Sequence, residues 1–535
     1  MKIFSNIRDI LFYASEKFAL RPAFKLKKYV NNEPVYENVT YSRFRNETDN
    51  LAKYFLKMGD KAEKIAVIGD NNYRWMVVFF AALCAGKVAV PLDKGLFADE
   101  IADQLSRSNA DMLFYSESVD VKVSKIEGVE KICTDSEQYD DVLRIGKTAG
   151  NETEYANVKI DNEKMSILLF TSGTTSKSKA VMLSQKNIAS NVYALDLHEK
   201  FYADDISLAL LPFHHAFGLV QTILFLSEGI CTCFPEGLRV ASALEEYGVS
   251  ILVGVPRVAD MMKSAVERKI DEMGKTGLIG KALKISGALG KIGIDVRRKL
   301  FKSIIDGLGG KMRFIILGAA PANPDTLEWF NNVGILTVQG YGLSECSPVV
   351  SAENDTHMRR GSIGIALPDI NVRIDNPDEN GIGEIAVRGD NVMLGYLDNP
   401  EETAKVLKDG ELFTGDLGYM DKEGYIFITG RKKNVIVLDN GKNVFPEELE
   451  GLMAKCPIVK ECIVSNAPEN GKDCLVATIY TEKGTDLEEA QRIAEEYVAE
   501  LNKKLLQYKW IKKVIVTDKQ PEMTTTMKVK RHSAS

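Results

Sequence analysis

The sequence predicts an α/β protein: a large N-terminal region of layered α/β sheets with a small β-rich subdomain, then a mixed α+β C-terminal domain. Three observations carry this. From Lys64 to Leu92 the pattern runs strand, helix, strand (Ile65–Ile68, Tyr73–Ala85, Val88–Val90), a βαβ unit. From Gly361 the texture changes to short strands between Gly, Asn and Asp turns, as in PDENGIGEIAVRGDNVMLGY. After Arg431 about a hundred residues follow a mixed pattern of their own. The expected boundaries are 1–432, with 360–430 as the β-rich subdomain, and 433–535 for the second domain.

The elements follow in order. MKIFSNIRDILFYASEKF has helical apolar spacing interrupted by Arg8, Asp9, Glu16 and Lys17. Beyond the βαβ unit, a helix near Asp99–Ser108 precedes a strand at Met112–Tyr115, and the apolar run Ile167–Phe170 reads as a buried strand. Then come a helix near Gln185–Leu197, a strand at Ile206–Leu210 and a helix–strand pair ending at Cys231–Phe234. Strands are expected in Glu245–Val255, Lys311–Leu317 and Ile335–Val338, and alternation of this kind means largely parallel sheets. In the C-terminal region the strands are Val435–Leu438, Glu461–Ser465, Leu475–Tyr480 and Lys512–Val516, with a long amphipathic helix at Leu487–Lys504.

At 535 residues and 59.3 kDa the chain exceeds one hydrophobic core. A net charge of -7 and a pI near 5.6 give no global reason to expect nucleic-acid binding. No window approaches the roughly 20 apolar residues of a membrane span, and the N-terminus lacks a signal peptide's apolar core and cleavage site. Cys231 and Cys233 form a lone C-x-C in a strand context, poor evidence for zinc, and the expected compartment is a reducing cytoplasm. One basic stretch, Lys281 to Lys311, interleaves Lys281, Lys284, Lys291, Arg297, Arg298, Lys299 and Lys302 with Leu and Ile. It reads either as a solvated helix face or as a patch for a membrane surface or an anionic cofactor.

The chemistry starts at Thr171–Ala180, TSGTTSKSKA, directly after the buried strand. Thr171, Ser172, Gly173, Thr174 and Thr175 offer small residues and hydroxyl donors to a polyanion, and Lys179 adds charge. A Walker A reading fails because Ser178 and Ala180 stand where glycine and the magnesium-binding hydroxyl belong. LPFHHAFG contributes His214, His215 and Phe217, and Gly318, Ala319 and Ala320 leave room for a purine against the backbone. Gly340, Tyr341 and Gly342 follow in VQGYGLSECSP; Tyr341 offers a stacking face, and Ser344 and Glu345 bring a hydroxyl and a hard-oxygen carboxylate suited to Mg²⁺. Asp416 in TGDLGY and Arg431 in GRKKN are an acid and a base fifteen residues apart, and Lys528 lies in the polar tail PEMTTTMKVKR.

With these motifs in this order, from about Ile7 to Arg531, the chain resembles the AMP-forming adenylate-forming family of acyl-CoA synthetases, firefly luciferases and peptide-synthetase adenylation domains. It departs from the family loop TSGTTG-x-PKG-V at Ser176, Ser178 and Ala180, and Met527 and Asn434 replace a usual glycine and a frequent aspartate. The resemblance implies roles. Thr171–Thr175 and Lys179 grip the ATP phosphates, Glu345 ligates Mg²⁺, and Asp416 accepts both ribose hydroxyls while Arg431 completes the nucleotide site. His215 helps orient attack, Phe217 borders the acyl pocket, Lys433 is the hinge of a mobile C-terminal domain and Gly441 passes the pantetheine arm of coenzyme A. Lys528 is the catalytic lysine of adenylation.

The implied reaction joins a carboxylate to ATP as an acyl-adenylate, then transfers the acyl group to the thiol of coenzyme A. GYGLSECSPVV, the TTTMKVKR ending and the basic insertion look most like bacterial long-chain fatty acid–CoA ligases, with peripheral contact at the inner membrane face as a hypothesis. Two rivals remain: an acyl carrier protein as the thiol acceptor, and a degenerate member that binds without catalysis.

Overall fold

The computed structural model describes residues 3–171, 178–235, 237, 240–274, 276–290, 295–438, 442–467 and 473–521, without the side chains of Leu278, Lys284, Gly287, Ala288 and Gly290. It divides into two compact units: Met1–Asn371 with Arg388–Leu412, and Val372–Val387 with Phe413–Ser535.

The alternation expected from the sequence builds two sheets in the first unit. One has seven strands in the order Gly395–Tyr396, Lys179–Ser184, Met165–Thr171, Val88–Leu92, Lys64–Ile68, Met112–Tyr115, Glu130–Cys133. The last five run parallel; Lys179–Ser184 and Gly395–Tyr396 are added antiparallel. The other has nine strands, with Ile206–Leu208, Cys231–Cys233, Ile251–Gly254, Phe314–Leu317 and Leu336–Gly342 as its parallel centre. Parallel strands covered on both faces read as continuous apolar runs, and Ile251–Gly254 is buried at every position. The helix Tyr73–Cys84 is buried at every position but Arg74, as its all-round hydrophobicity requires.

Several elements lie outside those read from the sequence, among them a hairpin and the helix after it. Pro22–Val30 and Glu33–Thr40 form a hairpin at one edge of the larger sheet, turning through Asn31 and Asn32 at φ 53 and 65. An Asn–Asn pair with both residues left-handed is the turn that a two-residue hairpin favours. Tyr41–Met58 follows as a helix, with the Thr40 side chain accepting from Arg43 N.

The basic interruption is helical at Thr276–Gly290, Arg297–Leu300 and Lys302–Gly307. Among the described residues three of its cations are used internally: Arg297 pairs with Asp295 and donates to Asn331 O, Arg298 donates to Met312 O and Gly334 O, and Lys302 pairs with Asp306. Among the described residues no helix is long and apolar enough to cross a membrane.

The strands Asn371–Asp375, Gly383–Arg388, Glu411–Met420 and Ile426–Arg431, most of whose residues belong to the second unit, lie in one sheet. Glu461–Asn466, Leu475–Tyr480 and Ile511–Thr517 form another, and Leu487–Asn502 buries Ala494, Val498 and Leu501 in a core with Leu449, Met453, Ala477 and Ile479.

Candidate active site

The strand Met165–Thr171 ends where the hydroxyl loop begins, and Lys179–Ser184 returns beside it with Thr171 opposite Lys179. Ser172, Gly173, Thr174, Thr175 and Ser176 lie outside the described residues. The two other departures from the family pattern have local explanations. Ala180 sits opposite Phe170 in the paired strands and accepts from Leu397 N at 2.9 Å, its methyl buried in the core. Ser178 is gripped by Arg107, which donates to its carbonyl at 2.7 Å and its hydroxyl at 3.2 Å. Arg107 in turn lies over the Phe170 ring. A guanidinium fork on backbone and hydroxyl restrains the chain where the family pattern has a proline.

Lys179 Nζ stands 2.8 Å from Glu402 Oε2 and 4.7 Å from the centroid of the Tyr396 ring. The ammonium groups of Lys179, first, and of Lys405 hold the Glu402 carboxyl down at about 2. The Tyr396 hydroxyl donates to Glu345 Oε1 at 2.9 Å. Burial and the Glu345 charge raise that phenol well above its ordinary range. Glu345 lies in the tight turn Ser344–Cys346, which is tied down by Met393 N on Glu345 O and by Asn391 on Cys346 O, each at 2.9 Å. Among the described residues no group of three or more His, Cys, Asp or Glu could hold a metal ion. One carboxylate without a protein cage fits Mg²⁺, which keeps waters and shares substrate phosphate oxygens.

His215 precedes the first turn of the helix Ala216–Glu228, at the positive end of its backbone dipoles. The loop that carries it is fixed by Asn71, whose amide donates to Ala209 O and Leu211 O at 3.0 and 2.7 Å and accepts from Phe213 N at 3.0 Å. Trp75 packs on Phe213 with ring centroids 5.2 Å apart. His214 packs against His215 and lies 3.5 Å from Asp93 Oδ1; burial, then the neighbouring His215, drive its imidazole well below the ordinary range. It therefore stays neutral at physiological pH. Phe217 explains Gly318: a β-carbon there would stand 2.8 Å from the Phe217 ring, so the helix start and the strand end meet only through glycine. Ala319 follows in the left-handed region at φ 68, a strained position for a residue with a side chain, and Ala320 is exposed. Gly340, Tyr341 and Gly342 end the strand Leu336–Gly342 against the returning strand Val349–Ala352. A β-carbon on Gly342 would fall 1.9 Å from Pro348 O.

In the second unit the acid and base read fifteen residues apart are direct cross-strand partners: Asp416 opposes Arg431, with Arg431 Nε 2.7 Å from Asp416 Oδ1. The carboxylate is 5 % exposed and the guanidinium 45 %. Lys433 occupies the tight turn Lys432–Asn434 just beyond, where Asn434 donates to Glu447 at 2.6 Å and Lys432 pairs with Glu384. Gly441 and Lys528 lie outside the described residues.

Sequence reading alone did not single out Arg107, Asn71, Tyr396 or Glu402. An arginine in an amphipathic helix, an asparagine in a turn and a Gly–Tyr pair before a Pro-started helix carry no distinguishing local pattern; their partners are distant in sequence.

A layered α/β fold with a lysine at a strand end, linked through Tyr396 to a carboxylate, suits an anionic ligand and its metal ion. The AMP-binding enzyme family matches residues 14–397, and the AMP-binding enzyme C-terminal domain matches 433–535. The chain belongs to the AMP-binding enzyme family. It is 28% identical over 476 residues to long-chain-fatty-acid–CoA ligase 5 of Mus musculus, covering 81% of this chain and 69% of that protein. Fatty acyl-CoA synthetase B of Dictyostelium discoideum is 26% identical over 523 residues, covering 89% and 76%. The fold is that of O-succinylbenzoate coenzyme A synthetase from Bacillus subtilis, solved in complex with ATP and magnesium ion: the TM-score is 0.74 at 22% identity, covering 98% of each chain.

Proposed function

We propose that the chain uses ATP to activate a fatty acid, long-chain by preference, and passes the acyl group to coenzyme A. The observation that carries this reading is the linkage of Lys179, Tyr396 and Glu345, which places a cation and a hard-oxygen carboxylate beside one strand end. The relatives' names supply the substrate class.

In the first step a carboxylate oxygen attacks the α-phosphorus of ATP and the bond to the β-phosphate bridging oxygen breaks, releasing pyrophosphate. A carboxylate is a weak nucleophile and the phosphates repel it, so the site must position both and offset charge. Lys179 and the hydroxyls of Thr171–Thr175 take the phosphates, and Glu345 would hold the Mg²⁺ that neutralises them. Asp416 takes the ribose hydroxyls with Arg431 beside it, and the adenine lies on Gly318–Ala320 and Tyr341. His215 orients the carboxylate, Phe217 borders the acyl chain and Lys528 bridges α-phosphate and carboxylate. In the second step the thiol sulfur attacks the acyl carbon, the acyl–oxygen bond breaks and AMP leaves. Residues 433–535 act as a domain that swings about Lys433, removing Lys528 and admitting the pantetheine arm along Gly441.

The test is Lys528→Ala assayed on each half-reaction. Adenylate formation should fall by about 100-fold or more, as when one transition-state donor is removed. Thioester formation from supplied acyl-adenylate should largely survive; equal loss of both sinks the assignment. ATP–pyrophosphate exchange over acids from acetate to palmitate sets the chain length, and competition between coenzyme A and acyl carrier protein sets the acceptor. No exchange with any acid would mark a binding protein instead.

A further inference from the structure

We propose that Tyr396 is a positioning residue that couples the phosphate lysine Lys179 to the metal carboxylate Glu345, so that cation and metal site are set as one unit. This rests on the adenylating reading above and gives Tyr396 a role that none of its reaction steps assigns.

The register brings the three side chains together. Gly395–Tyr396 lies antiparallel to Lys179–Ser184 with Tyr396 opposite Val181. Opposed residues share a face of a sheet, and so do residues two apart on one strand, so Lys179 is the diagonal neighbour of Tyr396. Its ammonium stands over the ring at 4.7 Å, a cation–π distance. The same ring presents its hydroxyl to Glu345 Oε1 at 2.9 Å. The short segment is itself held on both sides: Met393 N donates to Glu345 O at 2.9 Å, and Leu394 N and Leu397 N donate to Met182 O and Ala180 O at 3.0 and 2.9 Å. Tyr396 N donates to the Thr403 hydroxyl at 2.9 Å, which adds the helix Pro400–Val406 and its Glu402 to the assembly.

The ring is 6 % exposed, so its two faces of chemistry cannot rotate apart. Glu402 occupies the remaining side of Lys179 at 2.8 Å, an intramolecular anion where a phosphate would stand. A donor to one oxygen of a ligating carboxylate fixes the direction in which the other oxygen presents its lone pairs, and loss of such a partner typically costs about 10–100-fold in metal affinity. A tyrosine that merely fills the core would show neither effect.

The experiment measures ATP binding to the full chain by calorimetry across a magnesium titration, for wild type, Tyr396→Phe and Tyr396→Leu, with melting curves for each. Tyr396→Phe keeps the ring and the packing, so its melting temperature should match wild type while the Mg²⁺ concentration for half-maximal ATP binding rises about tenfold. Tyr396→Leu removes the ring as well and should also weaken ATP binding measured without Mg²⁺, by a few-fold for an exposed-to-partly-desolvated cation–π contact of about 1 kcal/mol. Wild-type Mg²⁺ dependence in Tyr396→Phe overturns the coupling while leaving the adenylating reading intact. A wild-type chain that takes up no ATP overturns both.

Discussion

Two ion pairs in this protein have the same chemistry and opposite origins. Asp416 and Arg431 face each other across a hairpin, so the pair is produced by strand register over fifteen residues. Lys179 and Glu402 are 223 positions apart, and the tyrosine that ties Lys179 to Glu345 comes from a third segment 51 residues beyond that glutamate. The first pair needs only that two adjacent strands form. The second needs a strand of two residues, Gly395–Tyr396, to find the edge of a seven-stranded sheet. Burial differs as well: Asp416 is nearly enclosed and Glu402 is not, so Asp416 depends on its partner more than Glu402 does.

Breaking the local pair should have the largest effect. Asp416→Ala removes two expected hydrogen bonds from a charged acceptor, each worth about 1.5–3 kcal/mol, and should lower kcat/KM for ATP by roughly 10²–10⁴-fold. A loss under about fivefold would remove Asp416 from the nucleotide site. Arg431→Ala should cost more folding stability than Asp416→Ala, because it strips the buried carboxylate of that cation; denaturant midpoints compare the two.

The distributed assembly should give a smaller and more selective response. Arg107→Ala frees the carbonyl and hydroxyl of Ser178, one residue from Lys179, and should raise KM for ATP about tenfold with kcat little changed. Arg107→Lys should recover only part of it, since an ammonium cannot bridge both groups as a fork does. An unchanged KM in Arg107→Ala would mean that the loop needs no anchor at Ser178.

The smallest effect is on stability and lies away from both pairs. Glu199, partly buried beyond the helix Gln185–His198, has its carboxyl pushed up to about 8 by burial first and by Asp355 second. The folded state therefore holds this proton more tightly than the unfolded chain, whose value is near 4.5. Stability from this group is full below that value and is lost as pH rises through about 8. The melting temperature should fall between about pH 5 and about pH 9 less steeply in Glu199→Gln than in wild type. Equal slopes would show that Glu199 does not carry the effect; Glu353, pushed up to about 7 by its own burial, acts in the same direction.

Much of the fold was legible because apolar periodicity and turn residues are local signals. Tyr73–Cys84 and Leu487–Asn502 fall within three residues of their expected ends, and Met112–Tyr115 and Leu475–Tyr480 fall on them. The hairpin through Asn31 and Asn32 was missed although its turn residues were in plain view, because mixed lysines and apolar residues blur the alternation. For the site, the order of motifs named candidate nucleotide-site residues, and it marked Ser178 and Ala180 as departures without saying what accommodates them. The tertiary structure answered both: Ala180 lies in a paired strand inside the core, and Ser178 is held from the helix Ala98–Ser108 by Arg107. By itself the sequence determined the sheet class and many of the elements, since each depends on neighbours along the chain; the hairpin that joins Asp416 to Arg431 is as local, yet it was not read. Only the folded topology decided that Tyr396 and Glu402 converge on Lys179 and that Arg107 grips the residue before it, because contacts between distant segments leave no period in the sequence that could announce them.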